Sequence, residues 1–144
     1  MVNIQHNFKV KAPVNKVYEA ITQLNGLRNW WTTDVTGNPA INGELRFGFG
    51  EGMFNKMKVT ATEANKLVTW TCVDGPQEWI GTHLSFTLSE DKDKYTNVKF
   101  EQRDWQDATD FYGSCNFNWS LFMKSLKTLC ETGKGMPHVV PQQM

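Results

Sequence analysis

The chain has 144 residues, enough for one domain that buries about 68–70% of its unfolded surface and so needs neither metal nor disulfide to hold a core. Fifteen Lys plus Arg balance fifteen Asp plus Glu, which excludes the basic field that draws nucleic acid or anionic lipid. Six Trp and nine Phe are the compositional outlier, and they imply an aromatic core or an apolar cavity walled by rings.

In chain order, Asn3–Lys11 alternates Ile4, His6, Phe8 and Val10 against Gln5, Asn7, Lys9 and Lys11, the period of a half-buried strand. Pro13 suits the first turn of a helix, and Val14, Val17, Tyr18 and Ile21 carry that helix to about Gln23. Asn25-Gly26 breaks it, and Leu27–Trp31 reads as one further turn ending in Trp30-Trp31. Thr32–Asn42 is expected as a polar loop. Leu45, Phe47 and Phe49 then share a strand face, and Gly50-Glu51-Gly52 turns the chain into a strand over Met53–Glu63. A hairpin at Ala64-Asn65 leads to Lys66–Val73, with Val68, Trp70 and Cys72 on one side. Asp74-Gly75-Pro76 is a turn. Gly81–Ser89 and Tyr95–Asp104 complete the strands, with Leu84, Phe86, Val98, Phe100 and Gln102 facing inward by parity.

Trp105–Gly113 leads into a long helix, Ser114–Thr132, ended by Gly133. Cys115, Trp119, Phe122, Leu126, Leu129 and Cys130 recur at steps of three and four and form its apolar stripe. Phe117 and Leu121 widen that stripe, so the first half is expected to be enclosed on several sides. At 1.5 Å per residue the helix is roughly 28 Å long, long enough to cover the dry face of one curved antiparallel sheet. The predicted architecture is α+β: about six strands wrapped around the C-terminal helix, with two short helices after the first strand. Residues 1–133 form the domain, and residues 134–144, with Pro137 and Pro141, form an extended tail.

The candidate site is an apolar cavity between sheet and helix. Its expected walls are Phe47, Phe49, Met57, Trp70, Phe86 and Phe100 from strands and Trp119 and Phe122 from the helix, with Trp30 or Trp31 at the mouth. One of the paired Trp residues is expected to plug the end of the fold and the other to stay partly exposed. His6, Gln102 and Asn118 fall on inward faces and would orient a ligand. The plainer alternative is that the same rings simply fill a core.

Asp104, Asp107 and Asp110 precede the long helix, where carboxylates cap free N–H groups. His6, His83 and His138 show no metal-ligand spacing, and Cys115 and Cys130 lie about 22 Å apart along the helix, so no metal or cofactor is expected. Three Cys without a C-x-x-C pair or a signal-peptide pattern point to free thiols in a reducing cytoplasm. No apolar run approaches the ~20 residues of a membrane span.

The order of elements, together with Lys11–Ile21, Asn29-Trp30-Trp31, Gly43–Phe47, Trp119–Leu121, Leu126-Lys127 and Glu131–Gly133, resembles the helix-grip fold of the SRPBCC (START-like, birch-pollen-allergen-like) superfamily. More narrowly it resembles the activator-of-Hsp-ATPase homologues. The resemblance implies a curved sheet gripping the last helix. For function it implies binding of a small apolar, lipid-like or aromatic molecule without catalysis. A protein–protein module that meets a chaperone, and a cyclase- or hydrolase-like enzyme, are the alternatives.

Overall fold

The computed structural model describes residues 1–141. Strand β1 (Val2–Val10) is followed by helices α1 (Val14–Thr22) and α2 (Leu24–Trp30). Six further strands follow: β2 (Asp34–Gly37), β3 (Glu44–Gly50), β4 (Met53–Glu63), β5 (Leu67–Asp74), β6 (His83–Glu90) and β7 (Thr96–Trp105). Helix α3 (Asp110–Thr132) completes the fold. The strands form one seven-stranded antiparallel sheet in the order β1-β7-β6-β5-β4-β3-β2. Only β1 departs from the meander, crossing over to pair with β7.

Three boundaries differ from the sequence reading. The break between α1 and α2 falls at Gln23, and Asn25-Gly26, expected to break the helix, lie inside α2. The loop expected at Thr32–Asn42 contains β2, which extends the sheet beyond β3. Its one buried apolar residue is Val35, too little for a period-two pattern to show. What fixes β2 is remote: the Arg28 guanidinium donates two hydrogen bonds to the Val35 carbonyl at 3.1 and 2.7 Å. Helix α3 begins one turn earlier than expected. Thr109 is its N-cap, accepting from the Tyr112 N–H at 3.2 Å, and Asp110 adds a carboxylate to the positive first turn. At the other end Gly133 takes φ 88°, the left-handed C-cap, and donates its N–H to Leu129.

Register shifts in the β3–β4 and β4–β5 pairs add the local twist that curves a sheet. Alternation along each strand then gathers the rings under α3. Trp30, Phe47, Met57, Trp70, Phe86 and Phe100 are each at most 1% exposed. Their rings touch in a continuous column. Trp31 stands 4.2 Å from Phe47 and 5.0 Å from Trp119, Trp119 is 4.4 Å from Phe100, and Phe100 is 5.0 Å from Phe86. Fully burying side chains of this size contributes about 1.5–3 kcal/mol each. Beneath the middle of the helix the interior is therefore packed, not hollow.

The paired tryptophans also differ from expectation, because both are buried. Trp30 is the last residue of α2 and Trp31 its C-cap, and the two rings stack on each other at 5.9 Å. Trp30 donates its indole N–H to the Ala20 carbonyl at 2.8 Å, tying α2 to α1. Trp31 stacks at 6.2 Å on Trp70.

Candidate functional site

Space is left where the column ends. A cleft of about 990 Å³ opens between the first half of α3, the β3–β4 hairpin, the turn after β5 and the segment that follows α3. Trp31, Phe49, Trp79, Trp119 and Phe122 wall it, and Phe54, Phe111 and Leu121 continue the apolar surface to the mouth. Polar side chains on its lining are few: Asn55, Asn118, Lys124 and His138.

Of the expected site residues, the structure brings Trp31, Phe49, Asn118, Trp119 and Phe122 together on this cleft. It does not bring Trp30, Phe47, Met57, Trp70, Phe86, Phe100, His6 or Gln102 there. The reason is steric. The sheet curves tightly enough for facing rings to meet, so the strand residues nearest the helix axis fill the volume they were expected to surround.

Gln102 was expected to orient a ligand, but both ends of its amide are engaged inside the protein. Its Oε1 accepts from the Trp119 indole N–H at 2.9 Å and its Nε2 donates to Thr82 Oγ1 at 3.0 Å. Thr82 in turn donates to the Trp79 carbonyl at 2.7 Å. This chain of hydrogen bonds sets the rotamers of Trp119 and of the turn that carries Trp79. His6 is half-buried on β1, and its Nε2 is enclosed without a hydrogen-bond partner among the described residues. Asn118 is exposed, on the rim of the cleft, rather than inward as its parity suggested.

Several lining residues were not anticipated. Trp79 lies between the Asp74-Gly75-Pro76 turn and β6, outside every strand and helix, yet it is 8% exposed and stacks on Trp119 at 5.9 Å. Its indole N–H points at Cys115 Sγ, 3.4 Å away. A Trp in a turn is itself a signal, since so large an apolar surface is seldom left in water. Asn55 sits at an inward position of β4, 3% exposed, with Oδ1 unpartnered among the described residues. An enclosed carbonyl oxygen without a partner is costly and singles out a place where a donor would be welcome.

The third unanticipated wall is the segment after α3, expected as an extended tail. Gly133 turns the chain back, and Met136 N–H donates to Ser125 Oγ at 2.7 Å. His138 pairs with the end of α2: its N–H donates to the Trp31 carbonyl at 2.8 Å and its carbonyl accepts from Thr33 N–H at 3.0 Å. The imidazole Nε2 lies 3.1 Å from the Phe49 carbonyl, and Val140 N–H donates to Thr33 Oγ1 at 2.9 Å. Residues 135–140 thus form a strap along one side of the cleft, while the end of the expected tail, residues 142–144, lies outside the described residues. No sequence period announces a strap, because it is held by single backbone bonds to distant elements.

The thiols are quiet. Burial pushes Cys72 and Cys130 up to about 11, and it raises Cys115 on the cleft wall as well. Of the three carboxylates expected to cap α3, only Asp110 stands at its start, and the side-chain cap is Thr109 instead. Asp110 lies in the first turn, Asp107 accepts from Ala108 N–H, and Asp104 stands 3.7 Å from His83 on the outer side. Among the described residues no group of three or more metal-ligating side chains converges, and no helix is long and apolar enough to cross a membrane.

A curved antiparallel sheet closed around one long C-terminal helix, with an apolar cleft at one end of the grip, defines the helix-grip class. The chain belongs to the family of activator of Hsp90 ATPase homolog 1-like proteins, whose pattern matches residues 11–131. It is similar to the Aha1 dimer from Colwellia psychrerythraea, with 39% sequence identity over 94% of this chain and 100% of that one, at a TM-score of 0.85. The protein MLL2253 from Mesorhizobium loti shares the fold at 21% identity, covering 89% of this chain and 96% of its own, at a TM-score of 0.77. So does DynU16, a putative protein in the dynemicin biosynthetic locus, at 20% identity and a TM-score of 0.79, covering 96% of this chain and 51% of its own. No curated protein matches the chain.

Proposed function

We propose that the protein binds a small apolar or aromatic molecule in the cleft beside α3 and does so without catalysis. The observation that carries this reading is the cleft itself: about 990 Å³, walled by aromatic rings, with Asn55, whose enclosed Oδ1 has no partner among the described residues, in its lining. Burial of ligand carbon against Trp31, Trp119 and Phe122 would supply about 25 cal/mol per Å² of apolar area. Asn55, Asn118 and His138 would set orientation. Among the described residues the lining holds no carboxylate, its one imidazole, His138, is turned to the Phe49 carbonyl, and burial raises the pKa of its one thiol, Cys115, which favours binding over acid–base or nucleophilic chemistry.

The test uses 1-anilinonaphthalene-8-sulfonate as probe, with quenching of Trp31, Trp79 and Trp119 as a second readout. Saturable binding is expected, and Asn118→Trp, which fills the mouth from an exposed position, should abolish it while leaving the melting temperature unchanged. Unsaturable binding, or binding indifferent to Asn118→Trp, would sink the reading. Native mass spectrometry of gently purified protein would then look for the natural occupant.

Family membership favours a second reading, a docking module for a chaperone of the Hsp90 type. It expects capture of that chaperone by an outer surface, with cleft substitutions silent. Like its Colwellia relative, the chain is proposed to self-associate.

A further inference from the structure

Among the described residues nothing packs over the side of α3 turned away from the sheet. At 3.6 residues per turn, Asp110, Gly113, Ser114, Phe117, Leu121 and Lys124 fall on one stripe, opposite the buried Cys115, Trp119, Leu126 and Cys130. All six are exposed, and Phe117 at 66% and Leu121 at 52% place two large apolar side chains side by side in water. Both were expected to be enclosed, and none of the described residues encloses them.

We propose that a second copy of this chain covers this face, the two α3 helices packing antiparallel about a two-fold axis at Phe117. The surface is self-complementary in the way such an axis requires, residue i meeting j while j meets i. Phe117 meets its own counterpart. Gly113, four positions before the axis, faces Leu121 of the second copy, four positions after it. A Cβ built on Gly113 would find no atom within 4 Å, so the backbone there presents a shallow hollow to receive that leucine. Asp110, seven positions before the axis, faces Lys124 of the second copy, seven after it, and opposite charges meet at both ends of a stripe roughly 21 Å long. Antiparallel helices also set opposite dipole ends beside each other. The dimeric state of the Colwellia protein, similar over nearly all of both chains, supports a second copy as the occupant rather than an unrelated partner.

The consequence for the cleft rests on the ligand-binding reading above. Leu121 and Lys124 belong both to this face and to the cleft lining, so a second α3 lying against them borders the mouth of each cleft.

Sedimentation velocity tests the pairing. The wild-type chain is expected to sediment at twice its 16.5 kDa mass. Phe117→Asp is expected to sediment as a monomer, with an unchanged circular dichroism spectrum and a melting temperature that, unlike that of the wild type, does not depend on concentration. A monomeric wild type, or a Phe117→Asp protein that still dimerises, overturns the proposal. Charge exchange tests the register independently of that variant. Asp110→Lys alone and Lys124→Asp alone each set like charges together and should weaken the dimer about tenfold or more. An equimolar mixture of the two should recover it as a heterodimer, because both end contacts then join opposite charges. A mixture that stays monomeric overturns the antiparallel register. Phe117 is not on the cleft lining, so probe binding and sedimentation can fail separately: a dimer that takes up no probe refutes the ligand reading alone, and a monomer that binds probe refutes the pairing alone.

Discussion

Trp119 is the residue on which packing, the internal hydrogen-bond chain and the cleft converge. It is 2% exposed, lies within 6.3 Å of the Phe100, Trp31, Trp79 and Phe122 rings, and donates to Gln102 Oε1 at 2.9 Å. Trp119→Ala removes the ring and leaves a void beneath α3 that a rigid sheet cannot fill, which costs roughly 3–5 kcal/mol. At about 2–4 °C per kcal/mol for a chain of about this size, the melting temperature should fall by roughly 6–20 °C. A double-mutant cycle isolates the hydrogen bond. Trp119→Phe strands the buried Gln102 carbonyl, and Gln102→Met strands the Trp119 N–H, each costing about 1–3 kcal/mol beyond its lost contacts. Making both changes removes donor and acceptor together, so the pair should be less destabilising than the sum by about 1–2 kcal/mol. Urea unfolding followed by Trp fluorescence and circular dichroism measures all four corners. Coupling below about 0.5 kcal/mol would show that the amide and indole do not act as a unit. An unshifted melting temperature for Trp119→Ala would refute the burial of this helix face altogether.

Other consequences are open to direct measurement. Gly135 lies so close to α2 that a Cβ would stand 2.3 Å from the Asn29 carbonyl oxygen, so Gly135→Ala should lift the strap, cost about 1–3 kcal/mol and weaken probe binding in the cleft. A melting temperature and probe affinity equal to wild type would place the strap elsewhere. Gly133→Ala, forced into the left-handed region at φ 88°, should cost about 1–2 kcal/mol by urea unfolding while probe binding persists. The Glu131 carboxyl is held below its ordinary value, first by the Lys11 N–H at 2.7 Å and then by the Lys127 ammonium at 3.0 Å. A depressed acid contributes stability above its unfolded pKa and loses it as pH falls through the folded one, so Glu131→Gln should flatten the stability profile below about pH 4.3. A profile parallel to wild type there would exclude the pairing of the helix end with β1. Cys72, Cys115 and Cys130, raised by burial, should resist a thiol reagent at neutral pH and react together on unfolding. Fast labelling of the native protein would contradict their burial.

The elements with a strong period were legible before any coordinates. Alternation in β1, β3, β4, β5, β6 and β7 and the three-and-four spacing of Cys115, Trp119, Leu126 and Cys130 depend only on which residues are apolar, and the core uses those residues. The cleft was half legible. Trp31, Phe49, Trp119 and Phe122 could be named because they are large, apolar and on inward faces. Trp79, Asn55 and the strap through His138 could not, since a turn, a single amide and a run of unlike residues carry no period. Strand β2 was missed for the same reason, being held by Arg28 rather than by its own pattern.

Composition and periodicity by themselves determined that this chain makes one sheet and one long helix with an aromatic layer between them, because burial of an apolar face depends on the spacing of side chains along each element. Tertiary structure alone decided how tightly that sheet curves. Curvature sets whether facing rings touch or stand apart, so it closed the space among Phe47, Trp70, Phe86 and Phe100, left it open between Trp31, Trp79 and Phe122, and turned Phe117 and Leu121 outward, where none of the described elements reaches them.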